Sequence, residues 1–340
     1  MKDKICIITN EKIYEENQKK FCDNIDIKSI PEGLESFFDI VLIGRGSNQI
    51  RSKEINVKNV SVSKNLFDLF KKIKNNFKAK NLKYLVISIS PFTFMAIIFL
   101  KLFRRKVFLY LRSDGFEEYK SILGLPGPLI YGLMFYISSI MCDLIACRKR
   151  ILRGKRGIIV HPSQLNENWK KNISKPSLDK VQLLYVGRIR VEKGIFSLSK
   201  MIGNTNLKLS VVTSEMITNY KNSFSNIEII NFRNIDDSII KFYDECNIFI
   251  LPSFTEAHPQ VLDEALARMR PVIVFDEISH VARDRKGVYI ANRNLESLNE
   301  KIKFIINNYT KIQEEIKENK LPSKKIFINQ MKNIFSKEIK

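Results

Sequence analysis

Leu251-Pro-Ser-Phe-Thr-Glu256-Ala-His258-Pro-Gln-Val-Leu-Asp-Glu264-Ala-Leu-Ala267, running on to Pro271-Val-Ile-Val274, is the stretch on which the reading of this chain turns. Residues 248–251 are an apolar run that ends in Pro-Ser, the pattern of a buried strand and its exit. Pro259 stands where a first helical residue is expected, and Val261, Leu262, Ala265 and Leu266 follow at helical spacing. Glu256 is therefore placed on the loop before the helix and Glu264 about one turn inside it. At a rise of about 1.5 Å per residue, both carboxylates stay near one end of the helix. That end offers backbone N–H groups and the positive pole of the helix dipole, which suit a phosphate. Carboxylates beside an anion site suit a ligand that combines hydroxyls with phosphate.

A second element fits the same ligand. Val181-Gln-Leu-Leu-Tyr-Val186 reads as a strand, followed by Gly187-Arg188-Ile-Arg-Val-Glu-Lys193-Gly194 and a helical pattern over 195–201. Gly187 lets the backbone turn tightly, and Arg188 and Lys193 leave that turn at the carboxyl edge of the sheet, where open parallel sheets bind ligands. A guanidinium beside an ammonium is a clamp for a diphosphate. A strand–Gly–Arg turn alone is a weak signal that a solvated basic loop would equally produce. Its pairing with two glutamates about 70 residues downstream makes it specific.

These two elements resemble the carboxyl-terminal half of the retaining GT-B glycosyltransferases of the family-4 type. The matching text is Tyr185-Val-Gly-Arg-Ile-Arg-Val-Glu-Lys-Gly194, Leu251-Pro-Ser-Phe-Thr-Glu256, Leu262-Asp-Glu264-Ala-Leu-Ala267 and Pro271-Val-Ile-Val274. The resemblance implies two Rossmann-like doubly wound α/β domains facing across a cleft, with a C-terminal helix crossing back to the first domain. It implies that Arg188 and Lys193 hold the donor's phosphates, that Glu264 accepts from ribose hydroxyls and that Glu256 contacts the transferred sugar. The backbone of His258, Pro259, Gln260 and Val261 would lie along the diphosphate and hexose. Catalysis would need no metal and no cofactor, with a nucleotide-diphosphate sugar, expected to be a UDP-sugar, as donor substrate. Where the family has a small residue before the Pro-Val strand, this chain has Met269-Arg270.

The rest of the chain agrees with this organisation. Its 340 residues suit two domains. Strand-length apolar runs at 5–9, 39–43, 84–89 and 107–111, with helices at 66–77 and 92–103, predict a parallel doubly wound sheet over residues 1–165. Gly44-Arg-Gly46-Ser completes no phosphate-loop motif and reads as a plain turn. Residues 166–180 read as a polar linker. Strands at 181–186, 207–212, 227–231, 248–251, 272–275 and 287–290 form a second sheet within 181–325, with helices at 236–246, 295–307 and 309–317. Residues 326–340 form a basic amphipathic helix expected to pack on the first domain.

The formal charge of +21 is uneven: residues 1–180 hold 33 Lys and Arg against 17 Asp and Glu. A basic surplus in one half points to a polyanionic partner. Residues 123–142 carry no formal charge and are followed by Arg148, Lys149, Arg150, Arg153, Lys155 and Arg156. Twenty residues meet the minimum for a membrane span, yet Pro126, Pro128 and three glycines interrupt the run, so a helix in peripheral contact with an anionic membrane is expected instead, with a buried domain helix as the alternative. Five scattered cysteines and a start that lacks a cleavage pattern suit a cytoplasmic setting, on the inner face of the membrane.

On the acceptor side, Arg112 and Asp114 follow the 107–111 strand and are the candidate contacts, with helix capping as the alternative role for Asp114. The acceptor is expected to be a glycan or a lipid-linked sugar in cell-surface polysaccharide or lipopolysaccharide synthesis. Three rival readings are a degenerate GT-B partner subunit without catalysis, a GT-B enzyme of different chemistry such as a sugar-nucleotide epimerase or phosphorylase, and a basic nucleic-acid binder. The last finds no binding module in the text and leaves Glu256 and Glu264 unexplained, so no nucleic-acid partner is expected.

Overall fold

The computed structural model of the chain describes residues 2–79, 82–213, 227–231 and 239–336. They form two compact units, Met1–Pro162 with Lys325–Lys340 and Ser163–Lys324. The first runs β1 (Lys4–Glu16), β2 (Lys19–Cys22), α1 (Ile25–Glu35), β3 (Asp39–Gly46), β4 (Lys53–Glu54), β5 (Asn59–Ser63), α2 (Leu66–Asn75), β6 (Leu82–Ile87) and α3 (Pro91–Leu102). It continues through β7 (Val107–Leu111), α4 (Gly115–Leu123), α5 (Gly127–Met141), β8 (Asp143–Ala146) and β9 (Ile158–Ile159). The parallel order is β5-β3-β1-β6-β7-β8-β9, and the distal part of β1 also pairs antiparallel with β2. The central strands are apolar on both faces, as a sheet covered on both sides requires.

The second unit contains β10 (Gln182–Val186), α6 (Ile195–Ile202), β11 (Lys208–Thr213), β12 (Ile227–Asn231), α7 (Ile240–Glu245), β13 (Ile248–Leu251) and α8 (Gln260–Ala267). After these come β14 (Val272–Phe275), β15 (Val288–Ala291), α9 (Leu295–Asn307) and α10 (Tyr309–Lys317). Its sheet is parallel throughout, in the order β12-β11-β10-β13-β14-β15. The order reverses direction between β10 and β13, which makes the gap beyond their carboxyl ends the topological switch point. Of the helix expected at 236–246, residues 236–238 lie outside the described residues, and α7 covers Ile240–Glu245.

The last helix, α11 (Lys324–Ser336), returns to the first unit as expected. Phe327, Met331 and Phe335 join the core around β1, β6 and β7, where Phe335 meets Phe108 edge-on at 5.1 Å. Gly33 on α1 makes room for it, since a Cβ there would lie 2.6 Å from Ile328.

Three expectations need correction. Gly44-Arg-Gly46 is not a turn but the end of β3, because β1 runs on past a bulge and pairs Ile13 with Gly46. Ile13 fills the space over Gly44, where a Cβ would be 2.4 Å away. The uncharged run 123–142 is not one helix: Gly124, at φ +70°, ends α4, and α5 starts at Gly127. Among the described residues no helix is long and apolar enough to cross a membrane. Finally, the 166–180 segment is bound onto the second unit. Trp169 lies in that unit's core and meets Tyr243 edge-on.

Two buried arginines hold that segment. Arg268 forks onto Asp244 at 2.7 and 2.8 Å and donates to the carbonyls of Trp169, Lys171 and Asn172. Arg270 donates to the carbonyls of Tyr243, Asp244 and Ser174. Arg270 thereby serves two carbonyls in the last turn of α7, the pole of a helix that favours cations. This is the physical reason that Met269-Arg270 stands before Pro271 where a small residue was the family expectation. Arg268→Ala would strand Asp244 and three carbonyls, so a loss of about 3–5 kcal/mol in urea-induced unfolding is expected.

Candidate functional site

The site begins with the pairing of two strand ends. β10 and β13 are parallel neighbours, with Leu183 opposite Ile248 and Leu184 opposite Phe249, all four buried. Their exits therefore leave the sheet side by side. After β10, Gly187 lacks the Cβ that would crowd the Tyr185 hydroxyl, which donates to the Arg188 carbonyl at 2.8 Å. A short turn over Val191–Lys193 ends at Gly194, whose φ of +68° falls in the left-handed region. A Cβ on Gly194 would lie 1.8 Å from the carbonyl of Pro252 in the β13 exit, so the two loops touch backbone to backbone. The Phe254 N–H donates to the Glu192 carbonyl at 2.9 Å and closes the contact.

This seam brings Lys193 and Glu256 together. The Lys193 ammonium lies 2.6 Å from Glu256 Oε1, which also accepts from Ser253 Oγ at 2.8 Å. His280 Nε2 donates to the Glu256 carbonyl at 2.9 Å. Arg188 is exposed on the same β10 loop. Arg293 locks the β13 loop from behind: it forks onto Glu277, donates to the carbonyl of Pro252 at 3.0 Å and stacks over Phe254 and Phe275.

Helix α8 supplies the rest. Pro259 is its N-cap, in extended conformation, so the helix starts at Gln260, one residue later than expected. Gln260 and Val261 form its first turn, and Val261 packs on the core. Glu264 accepts at Oε2 from the hydroxyl of the fully buried Tyr243 at 2.8 Å. Although Glu264 keeps part of its surface open, burial raises its carboxyl to about 7, with Asp263 adding to the effect and the tyrosine hydroxyl opposing it. The His258 ring is enclosed, with Nε2 3.6 Å from Asp263 and Nδ1 3.4 Å from Arg283. Asp263 in turn accepts from Arg285 at 2.8 Å.

The two acceptor-side candidates lie in the first unit and are both engaged there. Arg112 pairs with buried Asp26 at 2.9 Å. Asp114 caps α4 by accepting from the Phe116 N–H and is held by both oxygens against Arg153. The structure thus gives Asp114 the capping role that was the alternative to ligand contact.

Four residues at the site were not singled out by the sequence: Tyr243, Asp263, His280 and Arg293. Tyr243 sits at the end of α7, with no motif to mark it. Asp263 was quoted only as the residue before Glu264. His280 stands in no motif, and its link to Glu256 spans 24 positions. No local pattern reports such a pairing.

The family model described as Glycosyl transferases group 1 matches residues 166–321. The capsular polysaccharide biosynthesis glycosyltransferase CapM of Staphylococcus aureus is 30% identical over 199 residues, 52% of this chain and 51% of that protein. The chain thus spans about half the length of the curated relative it matches. Sucrose-phosphate synthase from Thermosynechococcus elongatus superposes with a TM-score of 0.68 at 14% identity, over 98% of both chains. HepE of Anabaena, solved in complex with UDP and glucose, gives 0.68 at 12% identity over 97% of this chain and 99% of that one. These likenesses show the fold, which is GT-B.

Two outcomes test the site's construction. Gly194→Ala is expected to disrupt the seam between the loops, read as a lowered melting temperature. For Glu264 the folded carboxyl titrates above its unfolded value of 4.5, so the folded state binds the extra proton between the two. Stability is therefore full below about 4.5 and is lost as pH rises through about 7. Relative to Glu264→Gln, the wild type should lose up to ~3 kcal/mol across that window in urea titrations, at about 1.36 kcal/mol per unit.

Proposed function

The glycosyl transferases group 1 model matches residues 166–321, and from that match we propose that the chain is a retaining hexosyltransferase. It moves a hexose from a nucleotide-diphosphate sugar, a UDP-sugar in this reading, to a glycan or lipid-linked acceptor. The observation that carries the proposal is the Lys193–Glu256 pair, held at the switch point on the loop that leads into the helix carrying Glu264. A cation for phosphate and two acceptors for hydroxyls stand where open parallel sheets bind nucleotides.

In this mechanism Lys193 leaves Glu256 for the incoming diphosphate, joined by Arg188 and the amino end of α8. Glu256, still held by Ser253, then accepts from a hexose hydroxyl, and Glu264 from the ribose. The bond from C1 to the leaving phosphate oxygen breaks while the acceptor oxygen bonds to C1 on the same face. The acceptor's proton passes to the departing phosphate. The protein's part is to position the partners and to spread the leaving group's charge, with side-chain cations and backbone N–H groups in place of a metal. The backbone from His258 to Val261 lies along the diphosphate and hexose, while the enclosed His258 ring orients the turn through Asp263.

The name of the Staphylococcus aureus relative supports cell-surface polysaccharide synthesis as the setting, with lipopolysaccharide as a related product class. A lipid-linked acceptor would place the chain in the cytoplasm, on the inner face of the membrane. Arg112 and Asp114 are the acceptor-side candidates, through surface their ion pairs leave open.

A thermal-shift panel of UDP-, GDP- and ADP-sugars tests the donor: one should stabilise the wild type, and Glu264→Ala and Arg188→Ala should abolish the shift. With that donor and a matched acceptor, Lys193→Ala and Glu256→Gln should each slow transfer roughly 10²–10³-fold, the effect of removing one stabilising group. A panel in which no nucleotide sugar stabilises the chain would overturn the reading.

A further inference from the structure

The α4–α5 hairpin is built in an unusual sense. Four of its aromatic residues pack on one another: Phe116 meets Tyr131 edge-on at 5.0 Å and Phe135 at 5.6 Å, and Tyr119 lies 5.2 Å from Tyr131. Several aliphatic residues face out. Leu125, Leu129, Leu133 and Ile140 are 87, 78, 65 and 82% exposed. With half-exposed Tyr136, they fall at spacings of three and four, a stripe along α5 that begins at Leu125 in the turn before it. Helix α5 packs on α3, which itself leaves Leu102 and Phe103 exposed at its carboxyl end. A single exposed leucine is ordinary, but a contiguous aliphatic face marks an interaction surface.

Charge identifies what covers it. Between residues 119 and 166 the sequence holds seven cations (Lys120, Arg148, Lys149, Arg150, Arg153, Lys155 and Arg156) and one carboxylate, Asp143. Lys106 neutralises that carboxylate at 3.6 Å. The basic segment is adjacent to the stripe, because the Lys155 ammonium stands over the Tyr136 ring at 5.5 Å. Lys149, Arg150 and Arg156 are exposed. A protein partner would need a matched acidic rim around an apolar centre. An anionic bilayer supplies both chemistries in one surface, with acyl chains for the leucines and phosphates for the cations.

We infer that the α4–α5 hairpin is a monotopic membrane anchor: the Leu125–Leu129–Leu133–Ile140 stripe enters the acyl boundary of an anionic leaflet, and the exposed Lys149, Arg150 and Arg156 bind its phosphates. The inference deepens the inner-face location proposed above and rests on that reading only for its choice of membrane. The broken run explains the arrangement. Gly124 and the two prolines cap the hairpin short, so that α5 lies in the interface rather than spanning it.

Cosedimentation of the full chain with vesicles of equal parts phosphatidylglycerol and phosphatidylcholine tests it, with pure phosphatidylcholine as the comparison. Binding to the anionic vesicles that weakens as salt rises is expected. Leu129→Asp with Leu133→Asp, and separately Lys149→Glu with Arg150→Glu, should each lower vesicle affinity roughly tenfold or more, at about fivefold per charge. Both double variants should keep the wild-type nucleotide-sugar thermal shift, which separates loss of the anchor from loss of the transferase reading. A wild-type chain that stays in the supernatant at low salt overturns the inference, as do variants that bind undiminished. A wild-type dimer that the leucine substitutions split overturns it too, by making a second copy the occupant.

Discussion

Parallel pairing of β10 with β13 is the constraint on which the site depends. The two strands are 65 positions apart in sequence at Leu183 and Ile248, yet their backbones hydrogen-bond directly. Apolar side chains buried on both faces keep them in register. Once paired, their carboxyl ends leave the sheet together, and the loops that follow have to share one small volume. The left-handed Gly194 lets them do so by removing the one side chain that would hold them apart. Everything chemical at the site is a consequence of that approach, including the short contact between Lys193 and Glu256.

The Lys193–Glu256 ion pair stabilises both groups where the two loops meet. A lone ammonium and a lone carboxylate in partly buried positions would each suffer desolvation, and pairing offsets that cost. Each group still has spare hydrogen-bonding capacity: the ammonium has three donors and the carboxylate two oxygens. Glu264 shows the opposite strategy. Its partner is a neutral tyrosine, so burial is not offset by charge and the carboxyl titrates near neutrality. Two glutamates eight positions apart thus have different electrostatic characters, set by neighbours and not by residue type.

Arginine is used structurally in the second unit. Arg268, Arg270 and Arg293 each satisfy several backbone carbonyls from a single planar fork. They turn irregular segments at 169–174 and 252–254 into fixed parts of the unit. None of the three was marked by pattern, because a carbonyl acceptor leaves no trace in sequence and any residue can provide it.

The text of the chain by itself determined the alternation of strands and helices, the two-unit α/β class, the return of the last helix and the two loops that meet beyond β10 and β13. These are legible because burial imposes periods of two and 3.6 on apolar residues, and because Gly, Pro and charged residues cluster where strands end. Only the tertiary structure decided that the 166–180 segment is anchored, that Gly44 lies in a strand and that the uncharged run breaks into a hairpin with its leucines outside. It alone revealed Tyr243 behind Glu264 and Arg293 behind the β13 loop. Such pairings depend on which distant elements meet, and a periodic signal reports a residue's own face but not its neighbour across the fold.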